Sequence, residues 1–238
     1  MWADKALLQL SSSATYSRDD IFQTLTKEKP NLSESTFRWT LYGLLKNQKI
    51  FKIDYDAYVV KQEKILPEYK PYYSDKAKEL EQILIERFPK VKFVIFESTL
   101  LNEFLNHQIA QNTIYVQIEK DISSYIFDNL QEEYEGEILY KPDKKIFDRY
   151  WRRGCIVVSN LISQTPLSQN SSHEITLEKM LVDIITEKII SSTFSPSETS
   201  FIYENALKSY YVDKRKMNRY AGRRGATALV KRYLEEVN

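Results

Sequence analysis

The sequence predicts a mixed α/β (α+β) protein, with an N-terminal winged helix-turn-helix followed by an α/β domain whose last third is helical. Three patterns predict it: three helices and a hairpin in the first sixty residues, alternating strands and helices over 74–158, and helices alone beyond 176. With 238 residues, 42% of them hydrophobic, the chain can form two cores. We therefore expect domains at 1–66 and 67–238, with 67–73 as a linker.

Several protein classes are disfavoured by the composition. No run approaches the roughly 20 apolar residues of a membrane span, and the first residues lack a signal-peptide pattern, so we expect a cytoplasmic protein without a membrane partner. The single cysteine, Cys155, lies in an apolar run that predicts a buried strand. With one cysteine and two histidines, a zinc site of the usual Cys/His type is not expected. We expect no metal, no cofactor and no catalytic residue.

Charge is distributed unevenly along the chain. Residues 1–66 carry 10 Lys and Arg against 8 Asp and Glu, a net charge of +2. Residues 67–207 carry 15 against 22, net −7, and residues 208–238 carry 9 against 3, net +6. Basic ends around an acidic middle suit a nucleic-acid binder, because phosphate contacts require local positive surface rather than a high net charge.

The first sixty residues carry the more specific pattern. A short apolar helix near residues 7–10 precedes Ser17, which can cap a second helix. Ser33 can cap a third helix that runs to about Gln48. Apolar residues at i, i+4, i+7 and i+8 predict one buried stripe on this helix. Its members are Phe37, Leu41, Leu44 and Leu45.

Two β-rich runs follow, at 49–53 and 57–60, separated by the turn-forming residues 54–56. Three helices and then a hairpin is the order of a winged helix, in which the third helix enters the major groove and the hairpin touches the DNA backbone. The DNA contacts predicted from the outer face of the third helix are Ser35, Arg38, Trp39, Tyr42 and Lys46. The predicted phosphate contacts are Lys49, Lys52 and Lys61.

Other interpretations of that face stay open. Exposed charged residues on a small domain are commonly just solvated, and Trp39 could instead pack against the second domain. Winged helices also serve as protein-interaction modules, so a non-enzymatic scaffold is an alternative function. Two features favour DNA: Trp39 and Tyr42 place aromatic rings on an outer face, and the wing lysines flank the core rather than fill it.

The second domain alternates elements and then becomes helical. Strands are predicted near 91–96, 113–118, 137–140 and 155–158, with helices after Ser74, after Ser98 and over 121–132. A later helix is expected to bury Leu177, Met180, Leu181 and Ile184, and to leave Glu178, Lys179 and Asp183 to solvent or to ion pairs. Ser195–Glu198 has the form of a capping box with proline at the first helical position.

Four segments together resemble the AbiEi-type antitoxin family of type IV toxin-antitoxin systems. They are Phe93–Phe104, Ile118–Asp121, Thr176–Asp183 and Arg219–Gly225. The resemblance covers most of the chain and agrees with the N-terminal winged helix. It implies a transcriptional repressor of its own operon that also counters a toxin of the nucleotidyltransferase class, functionally if not by a stable complex.

The expected partners are therefore that toxin and promoter DNA, the latter as an inverted repeat because repressors commonly meet paired half-sites. A C-terminal basic run forms a further candidate surface, either solvated, contacting nucleic acid or facing an acidic partner. It comprises Lys214, Arg215, Lys216, Arg219, Arg223 and Arg224. The sequence departs from the family's wing, where glycines often occur before the first strand and in the turn. Asn47–Gln48 and Asp54–Asp56 stand there instead.

A nucleotidyltransferase-like enzyme is the remaining alternative. In such a core a Gly-Ser turn holds phosphates and two spaced carboxylates hold magnesium. Glu97–Ser98 replaces that turn, and a glutamate adds negative charge where a triphosphate would approach. Glu119 and Asp121 are the candidate carboxylates, and their structural interpretation is a strand end and a helix N-cap. The residues therefore favour a non-enzymatic function.

Overall fold

The structure, a computed structural model, describes residues 2–61, 66–168 and 173–237. The predicted mixed α/β class with a helical C-terminal region is confirmed, and the chain contains two separate sheets. It divides into two compact units, Met1–Ile65 and Leu66–Asn238. In the described part of the chain, no helix combines the length and the apolar character that crossing a bilayer requires.

The first unit has the element order of a winged helix. Its antiparallel sheet has the order β1-β3-β2, and the β2–β3 hairpin is called the wing below. Strand β1, only two residues long, pairs with β3 and was not predicted, since so short a strand leaves no periodicity to detect. The elements are α1 Trp2–Leu7, β1 Thr15–Tyr16, α2 Arg18–Glu28, α3 Glu34–Lys46, β2 Ile50–Asp54 and β3 Ala57–Val60.

Side-chain caps and one core fix these elements. Ser17 and Asp20 form a complete capping box at the start of α2, and the Ser33 side chain accepts from the Thr36 backbone at the start of α3. Phe37 is fully buried, and its ring meets that of Phe22 edge-on at a centroid distance of 4.9 Å. Because α3 buries one stripe here, the opposite side of the helix faces outward.

The second unit is built around a four-stranded sheet of order β4-β5-β7-β6. Strand β4 runs antiparallel to β5, while β5, β7 and β6 are mutually parallel. Every residue of β4 and β5 is buried, as expected for strands covered on both faces. Cys155 is buried at the start of β7, as predicted. The strands are β4 Phe93–Glu97, β5 Thr113–Ile118, β6 Ile138–Tyr140 and β7 Cys155–Asn160.

Two boundary predictions for the helices of this unit were wrong. The segment after β4 is a 3-10 helix, Ser98–Glu103, rather than an α-helix capped by Ser98, because the Ser98 hydroxyl accepts from the Thr113 backbone at 2.9 Å. Asp121 is not an N-cap, since the flanking residue of the next helix is Ile122. The α-helices are α4 Asp75–Arg87, α5 Ser123–Gln131, α6 Lys144–Tyr150, α7 Leu177–Thr186, α8 Lys188–Ser191, α9 Pro196–Ser209, α10 Lys214–Arg223 and α11 Thr227–Glu236.

The predicted linker, residues 67–73, is part of the second unit. The Pro67 carbonyl accepts from the Tyr211 backbone at 2.9 Å, and the buried Tyr73 hydroxyl donates to the Ile95 carbonyl at 2.7 Å. The Tyr69 ring packs edge-on against that of Tyr210. The prolines suggested an extended connector, but Tyr69 and Tyr73 hold the segment against the domain.

A buried polar cluster joins the sheet to the C-terminal helices. It consists of Lys179 and Asp183 on α7, Gln117 on β5 and Tyr220 on α10, and we call it the buried charge cluster. The Lys179 ammonium donates to Gln117 Oε1 and Asp183 Oδ2, both at 2.5 Å, and to the Tyr220 hydroxyl at 3.1 Å. Its three protons thus meet three acceptors.

Asp183 is satisfied in the same cluster. Its Oδ1 accepts from the Tyr220 hydroxyl at 2.8 Å, and its Oδ2 also accepts from Gln117 Nε2 at 3.2 Å. Burial lowers the pKa of Lys179, while the attraction of Asp183 opposes that shift. Burial raises the pKa of Tyr220, which keeps its hydroxyl a donor.

Lys179 and Asp183, expected to face solvent or to form ion pairs, do form an ion pair, but in the interior rather than at the surface. Their side chains are only 1% and 2% exposed. The periodic pattern identified four residues that α7 buries. It did not reveal that Gln117 of β5 and Tyr220 of α10 enclose the side of α7 that carries Lys179 and Asp183.

Substitution of one partner of this pair is expected to destabilise the second unit strongly. Lys179→Met leaves Asp183 as a buried carboxylate without its cation, which costs about 3–5 kcal/mol of unfolding free energy. Asp183→Leu leaves the Lys179 ammonium buried without its carboxylate. Urea denaturation of both single variants and of the double variant measures the coupling between the two side chains.

The double variant is the control, because it buries no unpaired charge. We expect it to lose less stability than the sum of the single variants by at least about 1 kcal/mol. Lys208→Met, which removes an exposed pair with Glu204, should change stability by less than about 1 kcal/mol. Additive single effects would contradict the structural role given to this pair.

Candidate nucleic-acid interface

The outer side of α3 presents a stripe of polar and aromatic side chains. Ser35, Trp39, Tyr42 and Lys46, called the outer stripe, all lie exposed at helical spacings of four, three and four residues. Trp39 is 76% exposed and Tyr42 60% exposed. Both predicted aromatic residues thus lie on the surface, where neither ring contributes to the core of the unit.

Arg38 lies beside the outer stripe within an ion-pair network. Its guanidinium is 3.3 Å from Glu34 Oε1, and Arg18 at the start of α2 pairs with the same oxygen. These contacts, that of Arg18 foremost, lower the pKa of the Glu34 carboxyl. The Arg18 guanidinium also lies 4.8 Å from the centre of the Phe37 ring. Arg38 is therefore held at the surface by a carboxylate that stays ionised.

The three predicted phosphate-contacting lysines are placed differently from one another. Lys49 is half-buried and paired with Asp4 of α1 at 2.5 Å, so its charge is already matched within the unit. The Lys52 ammonium is exposed and lies 5.7 Å from the ring centre of Tyr55 and 5.8 Å from that of the buried Tyr58. Lys61 is exposed directly after β3. The exposed ammonium groups of Lys52 and Lys61 are accessible to a phosphate, whereas Lys49 is chiefly structural.

The tip of the wing is acidic and apolar rather than basic. Asp54 Oδ1 accepts from the Tyr55 backbone at 2.7 Å, and Asp56 Oδ1 accepts from the Arg18 backbone at 2.8 Å. Tyr55 is 90% exposed, and Phe51 and Ile53 are exposed along β2. The two carboxylates make the turn and tie the wing to α2. Phosphate would therefore meet positive charge along the strands rather than at the tip.

The junction between α3 and the wing closes without glycine. Gln48 takes the left-handed conformation, with φ of 54°. The Gln48 and Lys49 backbone N–H groups donate to the carbonyls of Leu45 at 3.0 Å and Leu44 at 2.9 Å, which is the Schellman pattern. Gln48 thus forms the turn without glycine, and its own side chain is placed in a strained backbone region.

The C-terminal basic run lies on and just after α10. Five of its members are exposed: Lys214, Arg215, Lys216, Arg219 and Arg223. The sixth, Arg224, is different because its guanidinium donates to Glu187 at 2.6 Å and to the Thr186 hydroxyl at 2.9 Å. Arg224 therefore ties α10 to the end of α7 and offers little free surface to a partner.

The residues considered for phosphate and for magnesium lie in different surroundings. Glu97 is buried, and its carboxylate accepts from the Ser74 backbone at 2.7 Å and from the Ser74 hydroxyl at 2.6 Å, linking β4 to α4. Glu119 follows β5 and Asp121 is exposed, and both line an open groove. Among the described residues, no group of three or more His, Cys, Asp or Glu could hold a metal ion.

The sequence matches a protein-family model over residues 36–238, most of its length. That model is described as a family of unknown function (DUF6577). The chain belongs to this family. The DUF6577 match begins within α3 and contains the wing and the whole second unit.

Comparison with curated proteins returns no match. Among solved structures, the chain is similar to the crystal structure of the RV2827C protein from Mycobacterium tuberculosis, at 12% identity and a TM-score of 0.33. That alignment covers 93% of this chain and 71% of the other. A likeness of this size carries no conclusion about this DUF6577 protein.

The sequence patterns did not identify several residues that shape this surface. Arg18 and Glu34, which hold Arg38, were not proposed, although Glu34 and Arg38 have the i,i+4 spacing of a helical ion pair. Phe51 and Ile53 were treated only as strand residues. Their alternation with Lys52 places both on the same face of the wing, a signal available in the sequence.

Gln48→Gly is expected to stabilise the junction between α3 and the wing. Glycine adopts positive φ without the cost of roughly 1–2 kcal/mol that other residues incur, and this gain exceeds its greater entropy loss on folding. The net stabilisation should be about 0.5–1 kcal/mol. Slower hydrogen exchange of the amides in β2 and β3 would measure it.

The matched control is Asn47→Gly one residue earlier, where φ is −88°. Glycine has no conformational advantage there, so this change should destabilise the junction by about 0.5–1 kcal/mol. Equal effects of the two glycines would mean that the left-handed residue is not a source of strain.

Proposed function

We propose that the first unit binds double-stranded DNA through α3 and the wing, and that the protein is a transcriptional autorepressor. The observation that carries the proposal is the outer stripe of α3. It places two large aromatic side chains and a lysine on the third helix of a winged-helix unit, where such units meet the major groove. The expected ligand is promoter DNA with an inverted repeat.

The surrounding charges support DNA as the ligand. Arg38 and Lys46 lie on either side of the aromatic pair, while Lys52 and Lys61 extend the positive surface along the wing. Their arrangement suits base or phosphate contacts from the helix and phosphate contacts from the wing. The acidic wing tip limits the number of phosphates, so we expect a moderate dependence of affinity on salt.

Full-length protein is expected to bind the DNA upstream of its own gene more tightly than a scrambled duplex. Arg38→Ala should weaken binding to the upstream DNA by about 1–3 kcal/mol. Lys46→Ala and Lys52→Ala should each flatten the salt dependence by about one phosphate contact. Gel-shift titrations at about 50 and about 200 mM salt measure both quantities.

Lys5→Ala is the control. Lys5 is an exposed lysine on α1 of the same unit, and it pairs with Glu28 on α2. It should leave affinity and salt dependence unchanged. Equal weak binding to both duplexes would exclude sequence-specific repression. Binding of a protein through residues 1–66 without DNA binding would instead support the interaction-scaffold function, which the exposed apolar residues of the wing would suit.

The antitoxin part of the proposal rests on the AbiEi resemblance. On that basis, the second unit counters a nucleotidyltransferase-type toxin, and the exposed cations of α10 are the surface available to an acidic partner. Coexpression with such a toxin encoded beside the gene should relieve growth arrest. Arg38→Ala should lose repression yet keep this protection, because it changes only the first unit. Growth arrest that persists at matched expression would remove the antitoxin function and leave DNA binding intact.

A further inference from the structure

The outer stripe of α3 carries more apolar surface than phosphate binding requires. Trp39 and Tyr42 are three residues apart, so their rings project from the same side of the helix. With 76% and 60% of their surfaces exposed, they are two of the large apolar side chains that the unit leaves in water. Their position at the middle of the stripe places them where the helix would lie deepest in the groove.

The major groove offers a specific partner to such rings. Each base pair presents hydrogen-bonding groups there, and the apolar feature is the 5-methyl group of thymine. Along the helix axis, Trp39 and Tyr42 are separated by about 4.5 Å, and successive base pairs by about 3.4 Å. The spacing of the two rings is thus of the order of one base-pair step, which lets them contact neighbouring base pairs.

We propose that Trp39 and Tyr42 recognise thymine, packing on the 5-methyl groups of two neighbouring A·T pairs. The inference rests on the proposed DNA-binding function and specifies the class of sequence that the helix selects. Arg38 and Lys46, on either side of the pair, supply the charge that brings this apolar surface against a polyanion. This flanking charge favours DNA over an apolar protein partner for the same two rings.

The test uses a duplex that the full-length protein selects from a random library. Replacing the thymines of the selected site by uracil removes only the methyl groups and leaves base pairing and charge unchanged. We expect about a fourfold loss of affinity for each contacted methyl, from about 0.8 kcal/mol per buried carbon, and about fifteenfold for two. Uracil outside the selected site should have no effect.

Protein variants assign the methyl contacts to the two rings. Trp39→Ala and Tyr42→Ala should each bind the thymine duplex more weakly and lose part of the discrimination against uracil, so that the substitutions are coupled. Tyr42→Phe keeps the ring and should keep the discrimination, which separates methyl packing from a hydrogen bond of the hydroxyl. Because both side chains are exposed, these changes leave the core of the unit intact.

The outcomes distinguish failure of thymine recognition from failure of DNA binding. Discrimination against uracil that disappears with the rings supports thymine recognition. Equal affinity of the unaltered protein for both duplexes, or discrimination that persists in the alanine variants, overturns it while leaving DNA binding in place. Failure to select or bind any duplex overturns the proposed function itself, and thymine recognition with it.

Discussion

The second unit depends on one interaction, the salt bridge between Lys179 and Asp183 in its interior. Neither charge has enough contact with water to be solvated, so each is stable only while the other and the hydroxyl and amide groups around them stay in place. Those groups come from β5 and α10, elements more than sixty and about forty residues away along the chain. The pair therefore fixes the position of the C-terminal helices on the sheet, which general apolar packing alone would specify less sharply.

In the first unit, one side of α3 packs into the core and the opposite side is exposed. The buried stripe of α3 is fixed by Phe37 and its neighbours, and the Ser33 cap sets where the helix begins. Once these are determined, helical periodicity requires Trp39 and Tyr42 to point away from the core. The outer stripe is thus a direct consequence of the packing, and its aromatic character is the part that packing does not explain.

The fold was largely predictable because local patterns determine it, whereas the site was predictable only in part. The caps at Ser17, Ser33 and Ser74, and strand β5 over 113–118, were evident from the sequence, since each follows from neighbouring residues. Contacts between distant segments were not evident. The pairing of Lys49 with Asp4 crosses 45 residues, and Lys179 is enclosed by Tyr220, 41 residues further on. Neither leaves a periodic signal in the residues around it.

The bridge from Arg18 through Glu34 to Arg38 has a consequence for how this surface would search DNA. An arginine that already shares a carboxylate gains little from an arbitrary phosphate, since it exchanges one anion for another. A guanine edge offers two acceptors in the geometry of the guanidinium and can compete on better terms. If the first unit binds DNA as proposed, Glu34 shortens the residence time of Arg38 on unrelated sequence more than on a guanine of the correct site. Selectivity in the proposed complex would then depend in part on weaker binding to all other sequences.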